Sequence, residues 1–477
     1  MSRTAKPTRT SRRVPPASGR PPSEKLSAGD WQALTDELMT YHRPVQDVFQ
    51  RREQRQWSMF YLCGQLSNLE RKTVEPMVLE LLGPDPNAIR GLQHFIGHGA
   101  WPTAALIECH QQRVSGTLGH PEGVVIVDGS GFPKQGHHSA GVGHQYCGAL
   151  GKVANCQEGV FAVYASPLGA TFVDARLYLP ADWFAPDHRE PWRQCGIPAA
   201  TPFQTEPELA RAMVADLVKR GVLLFQWVTA DEHFGQNPGF LDGIAALGKW
   251  YFAEVPTDTR VWLRTPRVEQ PGPGPLGRPR MRVRVAPSAP RPMAVRDWRG
   301  RLTAGRWQRY TIKEGSRGPM IAEFAFQRVT LVRDRLPGPR VWLVVRRSLD
   351  PTPEVKYYLS NAPSSCAPWD LARLSGWRWP MESAVEEAKG EVGLDHYETR
   401  TWVGWHHHMA QTFLAHHFLV RLQRLLKKSA GPDGRASPAP HRATARNRGR
   451  AARSVSHPVL SPAPQSCSLS LSSEAYA

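Results

Sequence analysis

Three acidic residues lie far apart in this sequence, at positions where folding could bring their carboxylates together. Asp128 ends the apolar run VVIVD, Asp231 ends the apolar run LLFQWVTAD, and Glu382 lies in WRWPMESAVEEAKGEVGLDHYETR. Arg378 stands four residues before Glu382 and Lys389 seven residues after it, offsets that put the three side chains on one face of a helix. Three adjacent carboxylates repel one another unless cations neutralise them, and Mg²⁺ binds carboxylates while retaining water and substrate phosphate. The residues therefore predict a divalent-metal site that faces a phosphate.

The chemistry expected of such a site is phosphoryl transfer. Two metal ions roughly 3.5–4 Å apart can activate the attacking oxygen and stabilise the leaving oxygen of an in-line displacement. Arg378 and Lys389 both suit a phosphate, the first as a planar fork and the second as a point charge. Phosphodiester cleavage or exchange is the predicted reaction class. In the alternative interpretation, each aspartate is a turn or helix-cap residue and Glu382 is one more acid on a solvated helix.

A mixed sheet is predicted to position these acids. Three apolar runs, VVIVD, GVFAVYA and ATFVDARLYL, are predicted strands, and the helix PELARAMVADLVKRG and the strand LLFQWVTAD follow them. KWYFAEV is a fifth predicted strand. This order is that of an RNase H-like core, in which the first and fourth strands can be neighbours and Asp128 and Asp231 can meet. A doubly wound sheet is the competing assignment, but it requires helices between the first three strands, and none is evident.

The fold class predicted for the whole chain is mixed α/β, with a β-rich insertion that interrupts the core. Short amphipathic helices precede the core, and the long amphipathic helix GWHHHMAQTFLAHHFLVRLQRLL ends the folded part. The predicted divisions are a disordered basic arm at 1–29, a helical DNA-binding domain at 30–120, the first part of the core at 121–257, the insertion at 258–350, the C-terminal helical part of the core at 351–428 and a disordered basic tail at 429–477.

The composition is strongly basic. The chain of 477 residues carries 60 Lys and Arg against 42 Asp and Glu, a net charge of +18, which predicts a polyanionic partner such as nucleic acid.

No run reaches the ~20 apolar residues of a membrane span and no secretory signal is present, so a cytoplasmic protein without membrane contact is expected. The seven cysteines form no CxxC pair, which predicts reduced thiols. GVGHQYCGALGK lacks the first glycine of a phosphate loop, so no use of ATP is expected.

Three motifs resemble those of the DDE transposases of bacterial insertion sequences: VVIVDGSGFPKQG, WVTADEHFG and WRWPMESAVEEAKGEVGLDHYETR. More narrowly, they resemble the subgroup whose RNase H-like core carries a β-strand insertion before the last acidic residue. The resemblance leaves out both basic ends of the chain. It implies that Asp128, Asp231 and Glu382 form a catalytic triad that binds two Mg²⁺ ions, for which Mn²⁺ can substitute. It also implies that Arg378 and Lys389 belong to the motif around the glutamate.

The function implied by the resemblance is the cleavage and transfer of DNA strands at the terminal inverted repeats of an insertion sequence. Water is the first nucleophile, and the 3′ hydroxyl of the element is the second. A dimer that holds two DNA ends in a synaptic complex is expected, acting at the nucleoid of a bacterial cell. Two alternatives stay open: a catalytically inactive or domesticated protein that binds specific DNA sequences, and an RNase H-like nuclease without strand transfer.

Further DNA contacts are predicted outside the triad. Lys134 lies in the loop GFPKQG just beyond the first acidic strand, where an ammonium can contact phosphate. By the resemblance, Trp298 and Trp307 in the insertion are candidates to stack on a flipped base. The histidine-rich run HHHMAQTFLAHH is assigned to packing or DNA contact, because its histidines lack the i, i+4 pairing of helical zinc sites.

One position departs from the family pattern. Ser375 stands three residues before Arg378, where the wider family has a Tyr. An adjacent aromatic residue, Trp377 or Trp379, is the candidate to take over the role of that Tyr.

Overall fold

The computed structural model describes residues 28–272, 281–315 and 318–429, which form a mixed α/β fold and confirm the predicted fold class. Almost all of the arm and tail predicted as disordered, at 1–27 and 430–477, lies outside the described residues. Within the described ranges, no helix combines the length and the apolar character needed to cross a bilayer.

Five helices precede the sheet, as predicted for residues 30–120. They are α1 (Ala28–Gln46), α2 (Arg52–Leu66), α3 (Val74–Leu81), α4 (Pro86–Gly97) and α5 (Thr103–Leu118). Asp85 caps α4 by accepting from the backbone N–H groups of Asn87 and Ala88, and Pro86 occupies the first turn, where no N–H is needed. The DNA-binding role of this region stays a prediction.

The first half of the sheet contains the strands predicted from the apolar runs. Its elements are β1 (Val124–Pro133), β2 (Gly143–Cys147), β3 (Lys152–Ser166), β4 (Gly169–Leu177), α6 (Arg189–Gln194), α7 (Glu206–Arg220), β5 (Trp227–Ala230), α8 (Glu232–Gly235), α9 (Pro238–Ala246) and β6 (Trp250–Glu254). The strand order is β6-β5-β1-β3, and both β2 and β4 pair with β3. β1 is antiparallel to β3 and parallel to β5. β2 was not predicted, because GHQYC contains too few apolar side chains to mark a strand. The RNase H-like assignment of this core stays a prediction.

The second half of the sheet comes from the predicted insertion and the chain after it. The elements of this part of the chain are β7 (Arg260–Trp262), β8 (Val268–Glu269), β9 (Arg284–Val285), β10 (Met293–Ala294), α10 (Val295–Arg299), β11 (Gln308–Gly315), β12 (Gly318–Arg333), β13 (Leu336–Ser348), β14 (Val355–Ser360), α11 (Pro368–Leu374), α12 (Trp379–Val392) and α13 (Trp402–Ser429). β8 and β9 pair with each other in a separate two-stranded sheet. The β12–β13 hairpin turns at Asp334 and Arg335, whose φ angles of 50° and 64° match a two-residue hairpin turn. β13 pairs with β14 and β14 with β6, so the insertion continues the sheet that carries β1 and β5.

The long helix α13 joins the amino-terminal helices to the sheet. It packs against α2, α4, α5 and β4, and four of its five histidines are buried in this core: His407, His408, His416 and His417. His407 stacks on Trp101 with 3.5 Å between ring centroids, and His408 Nδ1 lies 2.8 Å from Tyr61 Oη. Burial lowers the pKa of His407 to about 4 and that of His408 to about 3, so both are neutral near pH 7. The packing role predicted for this run is confirmed for these two histidines.

Candidate active site

Asp128 and Asp231 occupy neighbouring positions at one edge of the sheet. β1 and β5 are parallel with Val127 opposite Ala230, so the next residue of each chain segment is an aspartate at the same edge. This pairing confirms that the first and fourth predicted strands are neighbours. Asp231 also caps the short helix α8 by accepting from the Phe234 N–H at 3.2 Å, so the helix-cap interpretation holds for this residue as well.

Glu382 lies in the first turn of α12, and Arg378, just before the helix, connects it to Asp128. The Arg378 guanidinium lies 3.4 Å from Asp128 Oδ2 and 3.9 Å from Glu382 Oε1. Pro380 in the first turn helps to fix where the helix begins. The predicted helix face is therefore turned toward the acidic edge of the sheet, and its arginine contacts carboxylates.

The pKa of Asp128 shows how crowded these carboxylates are. It is raised to about 7, first by burial and then by the negative charge of Asp231, with a smaller contribution from Glu382. Arg378 and a hydrogen bond from the Gly129 N–H oppose the rise without cancelling it. Burial and the neighbouring acids therefore disfavour the charged form of Asp128, and an added cation would relieve this penalty.

The donor set fits a hard divalent cation in type, although the side chains are not closed around one. Asp128, Asp231 and Glu382 offer carboxylate oxygens, the ligands that Mg²⁺ prefers. In the part of the chain that the structure describes, no three His, Cys, Asp or Glu side chains lie close enough to enclose a metal ion. The Arg378 guanidinium lies between Asp128 and Glu382, so these two side chains can share a metal ion only if the guanidinium moves.

A fourth carboxylate, Glu254, belongs to the same edge and was not predicted. Glu254 ends β6, and because β5 and β6 are parallel and paired in register, it is the neighbour of Asp231. Its Oε2 lies 3.4 Å from the Arg378 guanidinium and 3.2 Å from the Lys356 ammonium. A signal was present in the sequence, because the predicted strand KWYFAEV also carries an acid at its end.

Another carboxylate, that of Glu158 on β3, lies against the glycines of β1. Glu158 pairs with Gly131 across β1 and β3; a Cβ at Gly129 would lie 2.9 Å from Oε1, and one at Gly131 would lie 3.0 Å from Oε2. The two glycines thus leave the space that the carboxylate fills. Among the described residues Oε2 has no hydrogen-bond partner, and the pKa of Glu158 is raised to about 8 by burial and then by Glu206. Glu206 in turn lies 3.4 Å from His233 Nε2.

The two predicted lysines lie over aromatic rings near the end of β1. Lys389 Nζ is 5.3 Å from the ring centroid of Phe132, and its charge opposes the rise in the pKa of Glu158. Lys134 Nζ is 3.6 Å from the ring centroid of Tyr397, and burial lowers its pKa to about 8. The phosphate-binding role of both lysines stays a prediction.

The tryptophans predicted to stack on a base differ in exposure. Trp298 is 5% exposed and belongs to the core, so it could contact a base only after leaving its packing. Trp307 is half-buried, and the Arg347 guanidinium lies 4.0 Å from its ring centroid. Their stacking role stays a prediction. The buried Ser375 hydroxyl donates to the Ala372 carbonyl at 2.7 Å, so it is used within the fold.

Comparison with known proteins agrees with the chemistry that the carboxylates predict. The model of a family described as DDE superfamily endonuclease matches residues 44–319, and this chain belongs to that family. The match includes Asp128 and Asp231 and ends before Glu382. A relative described as "Probable transposase for insertion sequence element IS701", from Microchaete diplosiphon, is 24% identical over 344 residues, which cover 70% of this chain and 75% of the relative. The predicted resemblance to DDE enzymes is confirmed, and the narrower subgroup stays a prediction.

Proposed function

We propose that this protein is a transposase that cleaves DNA at the terminal inverted repeats of an insertion sequence and joins the freed ends to target DNA. Membership of the DDE endonuclease family supports the cleavage step, and the activity in the IS701 relative's description supports transposition. One observation carries the proposal: the Arg378 guanidinium contacts both Asp128 and Glu382, and Asp128 lies next to the strand that ends before Asp231. Residues of three separate elements thereby reach one sheet edge.

Asp128, Asp231 and Glu382 are the proposed ligands of two Mg²⁺ ions, for which Mn²⁺ can substitute. Dependence on divalent metal is general in this family. Metal ions held by these three carboxylates would supply positive charge to activate the attacking oxygen and stabilise the leaving oxygen of the phosphodiester. The raised pKa of Asp128 supports this assignment, because a bound cation would lower the free-energy penalty of its buried, crowded carboxylate.

The basic side chains around the triad are proposed to hold the DNA phosphates. One guanidinium nitrogen of Arg378 contacts Glu254 and the other contacts Asp128. When another cation neutralises Asp128, the second nitrogen is proposed to donate a hydrogen bond to a DNA phosphate instead. Lys389 and Lys134 add point charges near the end of β1. Water is the proposed nucleophile for cleavage, and the freed 3′ hydroxyl is the proposed nucleophile for joining.

The proposed partners are double-stranded DNA ends that carry the inverted repeats and double-stranded target DNA. The net charge of +18 supports binding to two polyanions. A dimer is proposed, because a synaptic complex must hold two ends at once. No ATP is required, because joining replaces one phosphodiester with another. We place this activity at the nucleoid of a bacterial cell.

The test is the loss of Mg²⁺-dependent cleavage in three variants, Asp128→Ala, Asp231→Ala and Glu382→Ala. Each is expected to abolish both cleavage and joining of repeat-end DNA while leaving DNA binding intact. Glu386→Ala is the matched control, because Glu386 is an exposed acid of the same helix, one turn after Glu382. Cleavage that survives any of the three triad substitutions would contradict the proposed mechanism.

Pre-cut DNA ends separate transposition from simple nuclease action. A transposase joins a pre-cut 3′ hydroxyl to target DNA in a Mg²⁺-dependent reaction, whereas a nuclease only hydrolyses. The wild-type protein is expected to give strand-transfer products that contain both DNAs. Cleavage without such products would reassign the protein as a nuclease, and sequence-specific binding without cleavage would reassign it as a DNA-binding protein.

A further inference from the structure

The insertion packs directly against the segment that leads into Arg378. Ile312 in β11 is 5% exposed, and a Cβ built on Gly376 would lie 2.5 Å from its Cγ2. Arg346 in β13 donates to the Ser375 carbonyl at 3.3 Å. The insertion and the turn before α12 are therefore packed tightly against each other. Any side chain at position 376 would clash with Ile312.

This packing brings Lys313, the residue after Ile312, to the start of α12. Lys313 Nζ lies 4.3 Å from the ring centroid of Trp379, the first residue of α12. The side chain of Trp379 is exposed to 56%, whereas most large apolar residues of this protein are buried. An exposed indole directly after Arg378 thus supports a cation that comes from the insertion.

Lys313 also lies close enough to Glu382 to interact with it electrostatically. Partial burial lowers the pKa of Lys313, and the negative charge of Glu382 acts in the opposite direction. When an ammonium lies over a ring face, the N–H groups that point away from the ring can still donate hydrogen bonds to an oxygen ligand. Arg378 and Lys313 therefore supply two cations near Glu382, one from the helix segment and one from the insertion.

We propose that Lys313, held in place by Trp379, binds a DNA phosphate next to the scissile phosphodiester, so that the insertion completes the active site. This proposal rests on the proposed function, because it names the DNA contact of that same site. Lys313 binds substrate, and Trp379 is a positioning residue that acts through the lysine. The ligand chemistry is a phosphodiester oxygen of DNA, which suits an ammonium because the contact needs charge and no base recognition.

The decisive variant is Lys313→Gln, which keeps the length of the side chain approximately and removes its charge. Loss of a charge-assisted hydrogen bond predicts a fall of roughly 10- to 100-fold in kcat/KM for cleavage of repeat-end DNA. The slope of log K against log [salt] for DNA binding is expected to fall by about one, the change for a single phosphate contact. Lys313→Arg is expected to recover most of both effects.

Trp379 variants test whether the ring acts through the lysine. Trp379→Phe retains a ring face and is expected to remain close to wild type, whereas Trp379→Ala is expected to resemble Lys313→Gln. The double variant Lys313→Gln/Trp379→Ala is expected to cleave DNA no more slowly than the less active of the two single variants, because the two residues form one contact. If Trp379→Ala impairs cleavage and Lys313→Gln does not, the indole contacts DNA by itself and the proposal is overturned.

Trp369 is a matched control outside the proposed contact. It is 43% exposed and lies on α11, with the Arg373 guanidinium 5.1 Å from its ring centroid. Trp369→Ala therefore removes an exposed indole under a cation, and cleavage and the salt slope are expected to stay at wild-type values. Equal losses in Trp369→Ala and Trp379→Ala would mean a general surface effect and would overturn the proposal.

Two readouts keep this inference separate from the proposed function. DNA cleavage by the wild-type protein tests the function, and an inactive wild type would contradict the function alone. The salt dependence of DNA binding without added metal tests Lys313 whether or not cleavage occurs. Wild-type salt slope and wild-type affinity in Lys313→Gln, with an unchanged melting temperature, would sink the inference even if the enzyme is an active transposase.

Discussion

The Arg378 guanidinium lies 3.4 Å from the Asp128 carboxylate, although 250 residues separate them in the chain. Spacing around Glu382 predicts that Arg378 faces phosphate, and in this structure it faces the acids themselves. The same guanidinium reaches Glu254 at 3.4 Å and Glu382 at 3.9 Å. Arg378 is therefore a counter-ion shared by three carboxylates of the acidic edge.

Removing Arg378 is expected to strengthen metal binding and weaken catalysis. Arg378→Gln eliminates a positive charge between Asp128 and Glu382, so Mn²⁺ affinity of the DNA-free protein should rise by roughly 10-fold, or about 1.4 kcal/mol. Cleavage should fall, because the proposed phosphate donor is lost. Calorimetric titration with Mn²⁺ measures the first effect. Arg373→Gln is the control, because Arg373 pairs with Glu122 at 2.9 Å; unchanged or weaker Mn²⁺ binding in Arg378→Gln would refute the counter-ion role.

Neutralising Asp128 is expected to stabilise the metal-free protein at alkaline pH. The folded state raises the pKa of Asp128 from its ordinary 3.8 to about 7, so the charged carboxylate destabilises the fold. Relative to wild type, the advantage of Asp128→Asn grows as the pH rises from 3.8 to about 7 and is constant above that. A gain of the order of 1–3 kcal/mol is expected at pH 8.

Thermal melts in EDTA at pH 5 and pH 8 check this dependence, and added Mg²⁺ should reduce the difference at pH 8. Glu386→Gln, an exposed change on α12, is expected to show no such pH dependence. If Asp128→Asn and the wild type melt alike at pH 8, Asp128 is not destabilised by its surroundings.

Buried histidines predict acid sensitivity of the fold. Burial lowers the pKa of seven histidines from 6.5. The pKa falls to about 4 for four of them, to about 3 for another and well below 6.5 for a sixth: His42, His110, His406, His407, His408 and His417. The pKa of His396 is lowered as well. A depressed histidine pKa contributes stability that is complete above pH 6.5 and is lost as the pH falls toward the folded value. Each histidine can contribute a slope of up to about 1.4 kcal/mol per pH unit in that window.

Urea unfolding from pH 7.5 to pH 4.5 measures this slope, and the free energy of unfolding should fall steeply below pH 6.5. Asp128 and Glu158 oppose this trend, because the penalty on their charged forms shrinks as the pH falls. The buried histidines are expected to outweigh these two carboxylates because they are more numerous. His98→Gln is a suitable control, because His98 is exposed and its loss should leave the slope unchanged. A flat stability between pH 7 and pH 5 would contradict the prediction.

Gly131 is expected to tolerate no side chain. A Cβ there would lie 2.8 Å from Cys147 Sγ and 3.0 Å from Glu158 Oε2, so Gly131→Ala should destabilise the fold by roughly 1–3 kcal/mol. Cys147→Ala removes the closer of the two atoms and should recover part of the loss. Gly136→Ala is the control, because its Cβ would meet nothing within 4 Å. Equal unfolding free energies for Gly131→Ala and Gly136→Ala would show that the pocket around Glu158 is not tight.

Much of the fold could be predicted because its signals are local. The apolar runs of β1, β3, β4, β5 and β6 and the periodic helices α1 to α5 depend on residues that are close in sequence. β2 could not be predicted because its sequence has few apolar side chains, and it is recognisable as a strand only through its pairing with β3. By the family resemblance, Trp298 is a candidate to stack on a flipped base, and only the packing shows that it is 5% exposed.

By itself, the sequence determined the reaction class: acids at strand ends and bases at helical offsets from Glu382 predict phosphodiester chemistry with divalent metal. Tertiary structure alone decided which acids share an edge, because the pairing of β5 with both β1 and β6 adds Glu254 to the predicted triad. It also decided that Arg378 contacts those acids and that Lys313 lies over Trp379. The physical reason is that spacing controls which side chains share one strand or helix, whereas contacts between distant segments follow from strand order and packing.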